Sequence, residues 1–141
     1  MKVNSVGTGI KLIGTTIKSM TIQNTIVNND KDVERTFGMY INEPEFERQP
    51  ALFAQMTIDF EIKLRQMDKQ ECEIHLSLEG AFLSDENVNE DMFKELVMLN
   101  GAAALIGIAR GKIEAMSASV FNEGKIVIPF VNVVDYYKDL K

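Results

Sequence analysis

The sequence predicts an α+β fold, in which a four-stranded antiparallel sheet is followed by one long and one short helix. Residues 56–64 and 72–78 alternate strictly between apolar and polar side chains, which is typical of antiparallel strands with one buried face. Residues 92–120 form one helical run that is apolar over much of its length. The length of 141 residues fits a single domain, 1–141, with residues 1–14 expected to be irregular.

The composition excludes several classes of protein. The chain has 15 Lys and Arg against 21 Asp and Glu, and this net charge of −6 argues against nucleic-acid binding. Cys72 is the only cysteine, so no internal disulfide can form, and the N-terminal residues have no apolar signal core. The longest uncharged stretch, residues 96–109, is shorter than the roughly 17–25 residues of a membrane-spanning helix. We therefore expect a cytoplasmic protein without membrane insertion.

The first pair of strands is predicted at residues 15–27 and 34–41. Residues 15–27 are rich in Thr and Ile, and the polar residues 28–31 that follow are typical of a turn. Residues 42–50 contain two prolines and three glutamates, so they predict an acidic connection that leaves the sheet and re-enters it. We interpret Glu43, Glu45 and Glu47 as a solvated loop, with cation binding as the less favoured alternative.

The second pair of strands is a hairpin. The alternation of residues 56–64 stops at the polar turn 66–70 and resumes at 72–78. Cys72 and His75 stand three residues apart on one strand, so their side chains should point to opposite faces and cannot form a nucleophile–base pair. The chain has too few His and Cys residues for a typical metal site. The sequence thus predicts neither an enzyme nor a cofactor.

The long helix is predicted to follow residues 84–91, whose Asp, Glu and Asn side chains favour a helix N-terminus. Its segment 96–109 is apolar on every side, although a single sheet can cover only one side. A small residue recurs at every fourth position, which allows another backbone to approach closely. We expect a second copy of this helix to pack there, and the predicted oligomer interface consists of Ala103, Gly107, Gly111, Ala115 and Ser119.

The C-terminal residues predict a break and a short helix. Residues 122–124 end the long helix, residues 125–128 are extended, and Asn132 caps the final helix. The chain also contains eight Met and eight Phe residues, several of them at loops or strand ends. These side chains either fill the core or form an adaptable apolar binding surface.

The C-terminal half resembles that of the SecB export chaperones. The resemblance rests on residues 105–110 (LIGIAR), 113–116 (IEAM), Phe121, 127–132 (VIPFVN) and 135–137 (DYY). It implies a homotetramer, a dimer of dimers, with the long helices between two layers of sheet. It also implies an ATP-independent holdase whose apolar grooves bind unfolded polypeptides for protein transport. The client-binding residues expected by position are Phe37, Tyr40, Phe46, Phe53, Phe130, Val131 and Tyr136.

The sequence also departs from this family. SecB proteins dock the SecA-type export motor through an acidic pair on the first strand, but residues 17–23 contain no acid here. We therefore expect weak binding to such a motor. The alternative function is a dedicated adaptor that uses the same scaffold to hold one partner, such as an antitoxin or a phage protein.

Overall fold

The computed structural model describes residues 9–30, 32–48, 51–67 and 69–140. Within these ranges, five strands precede three helices. They are β1 (Ile10–Asn24), β2 (Glu34–Ile41), β3 (Glu45–Glu47), β4 (Phe53–Arg65), β5 (Glu71–Ser84), α1 (Glu90–Leu96), α2 (Ala102–Val120) and α3 (Val133–Asp139).

The strands form one antiparallel sheet in the order β1-β5-β4-β2, and β3 pairs with the first residues of β4. Its first strand and its acidic connection differ from the prediction. β1 runs from Ile10 to Asn24, so residues 10–14 are not irregular and residues 25–27 are not part of the strand; residues 1–8 of the segment predicted to be irregular lie outside the described residues. Leu12 and Ile13 are both more than a third exposed, and a register shift between Leu12 and Gly14 interrupts the alternation. The predicted acidic connection contains β3, which is too short to show a two-residue period.

The core lies on one face of this sheet. In β4, every second residue is buried, as the sequence predicts; these residues are Met56, Ile58, Phe60, Ile62 and Leu64. In β5, the same holds for Ile74, Leu76 and Leu78, and the strand continues to Ser84 with Gly80 and Phe82 also buried. We call this face the inner face, and the opposite face of the sheet the outer face.

The long helix covers the inner face. Its parts α1 and α2 are joined by a π-helical turn, Val97–Gly101, so the chain is helical from Glu90 to Val120. Asn89 begins the helix by accepting a hydrogen bond from the backbone N–H of Met92 at 2.8 Å. The residues that pack toward the sheet include Phe93, Val97, Leu105, Ala109 and Ile113, all of them buried.

By length and composition, the run Glu90–Val120 is apolar enough to cross a membrane, with a mean hydropathy of 1.5 over an 18-residue window. The sequence prediction considered only the shorter uncharged stretch 96–109. One side of the run packs on the sheet, and a helix that packs in a protein core is apolar for the same reason.

Residues 121–132 follow the long helix, and two polar contacts attach this segment to the helix. The backbone N–H of Ile126 donates to the buried Oγ of Ser117 at 2.7 Å, and Arg110 Nε donates to the carbonyl of Ile128 at 3.1 Å. Asn132 caps α3, as predicted, because its Oδ1 accepts a hydrogen bond from the backbone N–H of Asp135.

Candidate functional site

An apolar groove lies between the edge strand β2 and the segment that follows the long helix. Its floor contains Phe37, Ile62 and Leu64, and residues 126–129 form its wall, enclosing about 170 Å³. The resemblance to SecB chaperones implies apolar grooves, but the residues of this groove could not be read from the sequence, because its floor and its wall come from distant parts of the chain. Only Phe37 was among the expected client-binding residues.

Within the described residues, no strand pairs with the outer edge of β2, and this free edge borders the groove. Asn42 N–H donates to the carbonyl of Thr57 on β4, whereas Ile41 N–H points the other way and donates to Tyr136 Oη at 2.9 Å. Because backbone groups alternate along a strand, the N–H groups of Met39 and Phe37 point to the same free edge as Ile41. The Tyr136 hydroxyl thus closes one end of an edge that can pair with an added strand.

Phe130 is the most exposed of the aromatic residues expected to bind clients. Its side chain is 87% exposed, and the Arg110 guanidinium lies 4.0 Å from the ring centroid. It directly follows the groove wall. Val131 and Tyr136 are partly buried against the core, so they attach the C-terminal segment to the protomer and also remain partly accessible to solvent. These three predicted residues therefore lie in one region of the chain beside the groove.

The structure separates the other predicted aromatic residues. Phe37 packs on Phe60, with ring centroids 6.3 Å apart, whereas Phe46 packs on Phe93 of α1 at 6.1 Å. Tyr40 and Phe53 have the opposite strand parity from the buried residues, so both lie on the outer face. Because Tyr40 and Phe37 stand three residues apart on one strand, they lie on opposite faces, and neither Tyr40 nor Phe53 lines the groove.

A second exposed surface runs along the long helix, on the side away from the sheet. It consists of the small residues predicted as an oligomer interface, all of them exposed: Ala103, Gly107, Gly111, Ala115 and Ser119. A Cβ built on Gly107 or Gly111 would meet no atom within 4 Å. The part of the protomer that the structure describes thus leaves this small-residue stripe uncovered, and whether a second copy covers it remains a prediction.

Cys72 and His75 lie on opposite faces of the sheet, as the spacing predicted. Cys72 is buried on the inner face, and burial raises the pKa of its thiol. His75 is exposed on the outer face, where its Nε2 lies 2.6 Å from Glu73 Oε1. The two side chains therefore cannot act together on one substrate.

Removing the hydroxyl group should change the free energy of unfolding differently for the two neighbouring tyrosines of α3. Tyr137 Oη is buried and has no hydrogen-bond partner among the described residues, and burial raises the pKa of Tyr137. Tyr137→Phe should therefore leave the free energy of unfolding unchanged or raise it by about 1 kcal/mol. Tyr136→Phe should lower it by about 1–3 kcal/mol, because Ile41 N–H loses its acceptor. Urea denaturation measures both; a Tyr137→Phe loss as large as that of Tyr136→Phe would contradict the assignment.

A scan against models of protein families finds no match, and a search of curated proteins finds none either. The fold is similar to a solved structure, the SecB-like chaperone Rv1957 of Mycobacterium tuberculosis in complex with a ChAD peptide from the Rv1956 HigA1 antitoxin. The TM-score is 0.62 at 8% sequence identity, and the match covers 87% of this chain and 91% of that chain. At this identity the likeness shows the fold alone. The chain thus has a SecB-like α+β fold, as the sequence indicated.

Proposed function

We propose that this protein is an ATP-independent chaperone of SecB type, which binds unfolded polypeptide segments and holds them extended. The observation that carries the proposal is the apolar groove beside the free edge of β2. The SecB-like fold supports it, because the similar mycobacterial chaperone was solved with a peptide. We further propose that the protein is cytoplasmic and has no enzymatic activity.

The groove and the edge provide two kinds of interaction that do not depend on a specific sequence. Apolar client side chains placed over Phe37 and Leu64 would gain roughly 25 cal/mol for each Å² removed from water. The client backbone would donate to and accept from β2, with the alternate side chains directed toward the groove. Together these contacts favour an extended segment with alternating apolar residues.

A dedicated adaptor is the second candidate function. The peptide in the similar structure comes from an antitoxin, a single defined partner. The two functions differ in breadth. A holdase should suppress the aggregation of several unrelated unfolded proteins, whereas an adaptor should protect one. For export, we expect weak binding to a SecA-type motor, because Ser19 and Gln23 occupy exposed positions on β1 where acids would be needed.

We also propose that the protein assembles as a homo-oligomer, a dimer of dimers in the SecB-like arrangement. The uncovered small-residue stripe supports this proposal, because an apolar helix face is normally covered by another element. The groove lies at the edge of the sheet and the stripe lies on the helix. Both surfaces could therefore be occupied together.

Phe130→Ala should weaken client binding by about 1–2 kcal/mol, or roughly fivefold to thirtyfold, because an exposed ring beside the groove is lost. The measurement is the fluorescence anisotropy of a labelled unfolded client, together with its protection from aggregation. Tyr40→Ala is the matched control, since it removes an exposed ring from the outer face. Equal losses in both variants, or no loss in Phe130→Ala, would contradict this site.

A further inference from the structure

Three side chains that can bind metals meet on the outer face of the sheet. Glu61 of β4 is directly opposite His75 of β5 in the strand register, and Glu73 precedes His75 by two residues on the same face. One ligand atom from each lies within 4.8 Å of the others. The cluster is not visible in the sequence, because its ligands come from two different strands and the chain has only one histidine.

The cluster borders an open depression. This depression has a volume of about 270 Å³, and its lining includes Tyr40, Asp59, Glu61 and His75. On β2, the residue opposite Glu61 is Gly38, which has no side chain to cover the carboxylate. An ion from solvent can therefore reach the imidazole and the Glu61 carboxylate without a change in the backbone.

We propose that Glu61, Glu73 and His75 bind a divalent transition-metal ion of the Zn²⁺ class, one per protomer. An imidazole nitrogen and carboxylate oxygens are common ligands of this ion. Three protein ligands leave a coordination position for water. The imidazole distinguishes the site from one for Mg²⁺, which prefers oxygen ligands. Because its ligands come from β4 and β5, the ion would join the two strands.

Lys63 competes with this ion for the Glu61 carboxylate. Its Nζ lies 2.9 Å from Glu61 Oε1, and both side chains are about half exposed, so the ion pair is screened by water. A bound cation would displace the ammonium group. Removing Lys63 should therefore strengthen metal binding.

Titration calorimetry of the whole protein with ZnCl₂, and separately with MgCl₂, tests the proposal. We expect saturable Zn²⁺ binding at one site per protomer and no comparable Mg²⁺ binding. His75→Ala, Glu73→Gln and Glu61→Gln should each weaken Zn²⁺ binding by about tenfold or more. Lys63→Gln should strengthen it. Glu79→Gln is the matched control, because Glu79 lies further along the same strand on the same face and should leave binding unchanged.

Thermal unfolding provides a second readout. Since the ion would bind only the folded arrangement, Zn²⁺ should raise the Tm of the wild type in a concentration-dependent manner, but not that of His75→Ala. Circular dichroism should show the same fold in each variant, because the three ligands lie on the open face of the sheet. Absence of Zn²⁺ binding to the wild type, or equal binding by His75→Ala, would overturn the proposal.

Discussion

Leu105→Ala should lower the free energy of unfolding by about 2–5 kcal/mol. The Leu105 side chain is fully buried, and it lies directly over Gly80 in the centre of the sheet. A Cβ at Gly80 would overlap the end of the Leu105 side chain, so a larger residue at position 80 would require Leu105 to move. Truncation at this point leaves a cavity between α2 and β5, which the backbones of helix and sheet cannot move to fill.

Urea denaturation at one fixed protein concentration measures this loss. Leu140→Ala is the matched control, since Leu140 is 59% exposed and its truncation should cost less than about 0.5 kcal/mol. Gly80→Ala alone should cost about 1–3 kcal/mol by overpacking. The Gly80→Ala/Leu105→Ala double variant should lose less than the sum, because the added methyl occupies the vacated space. Strictly additive losses would show that the Leu105 side chain does not pack against position 80.

Gly111→Leu should dissociate the oligomer at the interface formed by the small-residue stripe, without unfolding the protomer. Within the protomer a Cβ at Gly111 meets nothing within 4 Å, so the larger side chain can be accommodated there. In an assembly packed through the small-residue stripe, the same side chain would separate the facing helices at a cost of roughly 1–3 kcal/mol per protomer. The substitution should therefore lower the molecular mass of the assembly and leave the secondary structure of the protomer unchanged.

Light scattering coupled to size-exclusion chromatography measures the mass, and circular dichroism monitors the fold. Lys112→Leu is the matched control, because it introduces the same side chain at the adjacent exposed position, outside the stripe. The wild type and Lys112→Leu should share one oligomeric mass. A wild type that is monomeric at micromolar concentration, or a Gly111→Leu variant of wild-type mass, would refute the stripe as an interface.

Much of the fold could be predicted from local patterns, and the errors have identifiable causes. The β4–β5 hairpin follows from a two-residue period that is visible in the sequence. The end of β5 was missed because Gly80 and Ala81 resemble the end of a strand. Glycine is required at position 80 to make room for Leu105, a residue whose position depends on the tertiary fold.

The candidate site was less predictable. Phe130 was a candidate because it lies beside Pro129 at a break between elements, which is a local signal. The opposite orientations of Phe37 and Tyr40 could also have been derived from their spacing along β2. The groove could not, since Leu64 and Ile126 meet only when the sheet and the C-terminal segment are in place.

The pairing of β1 with β5 determines the order in which the sheet can form during synthesis. In this ladder Asn24 pairs with Cys72 and Ile10 with Ser84, so β1 leaves the ribosome long before its partner has been made. By contrast, β4 and β5 are joined by a short turn and can pair as soon as both have emerged. During that interval β1 is an unpaired strand rich in Ile and Thr. A protein with the fold of a chaperone therefore passes through a stage in which its own first strand is exposed to aggregation.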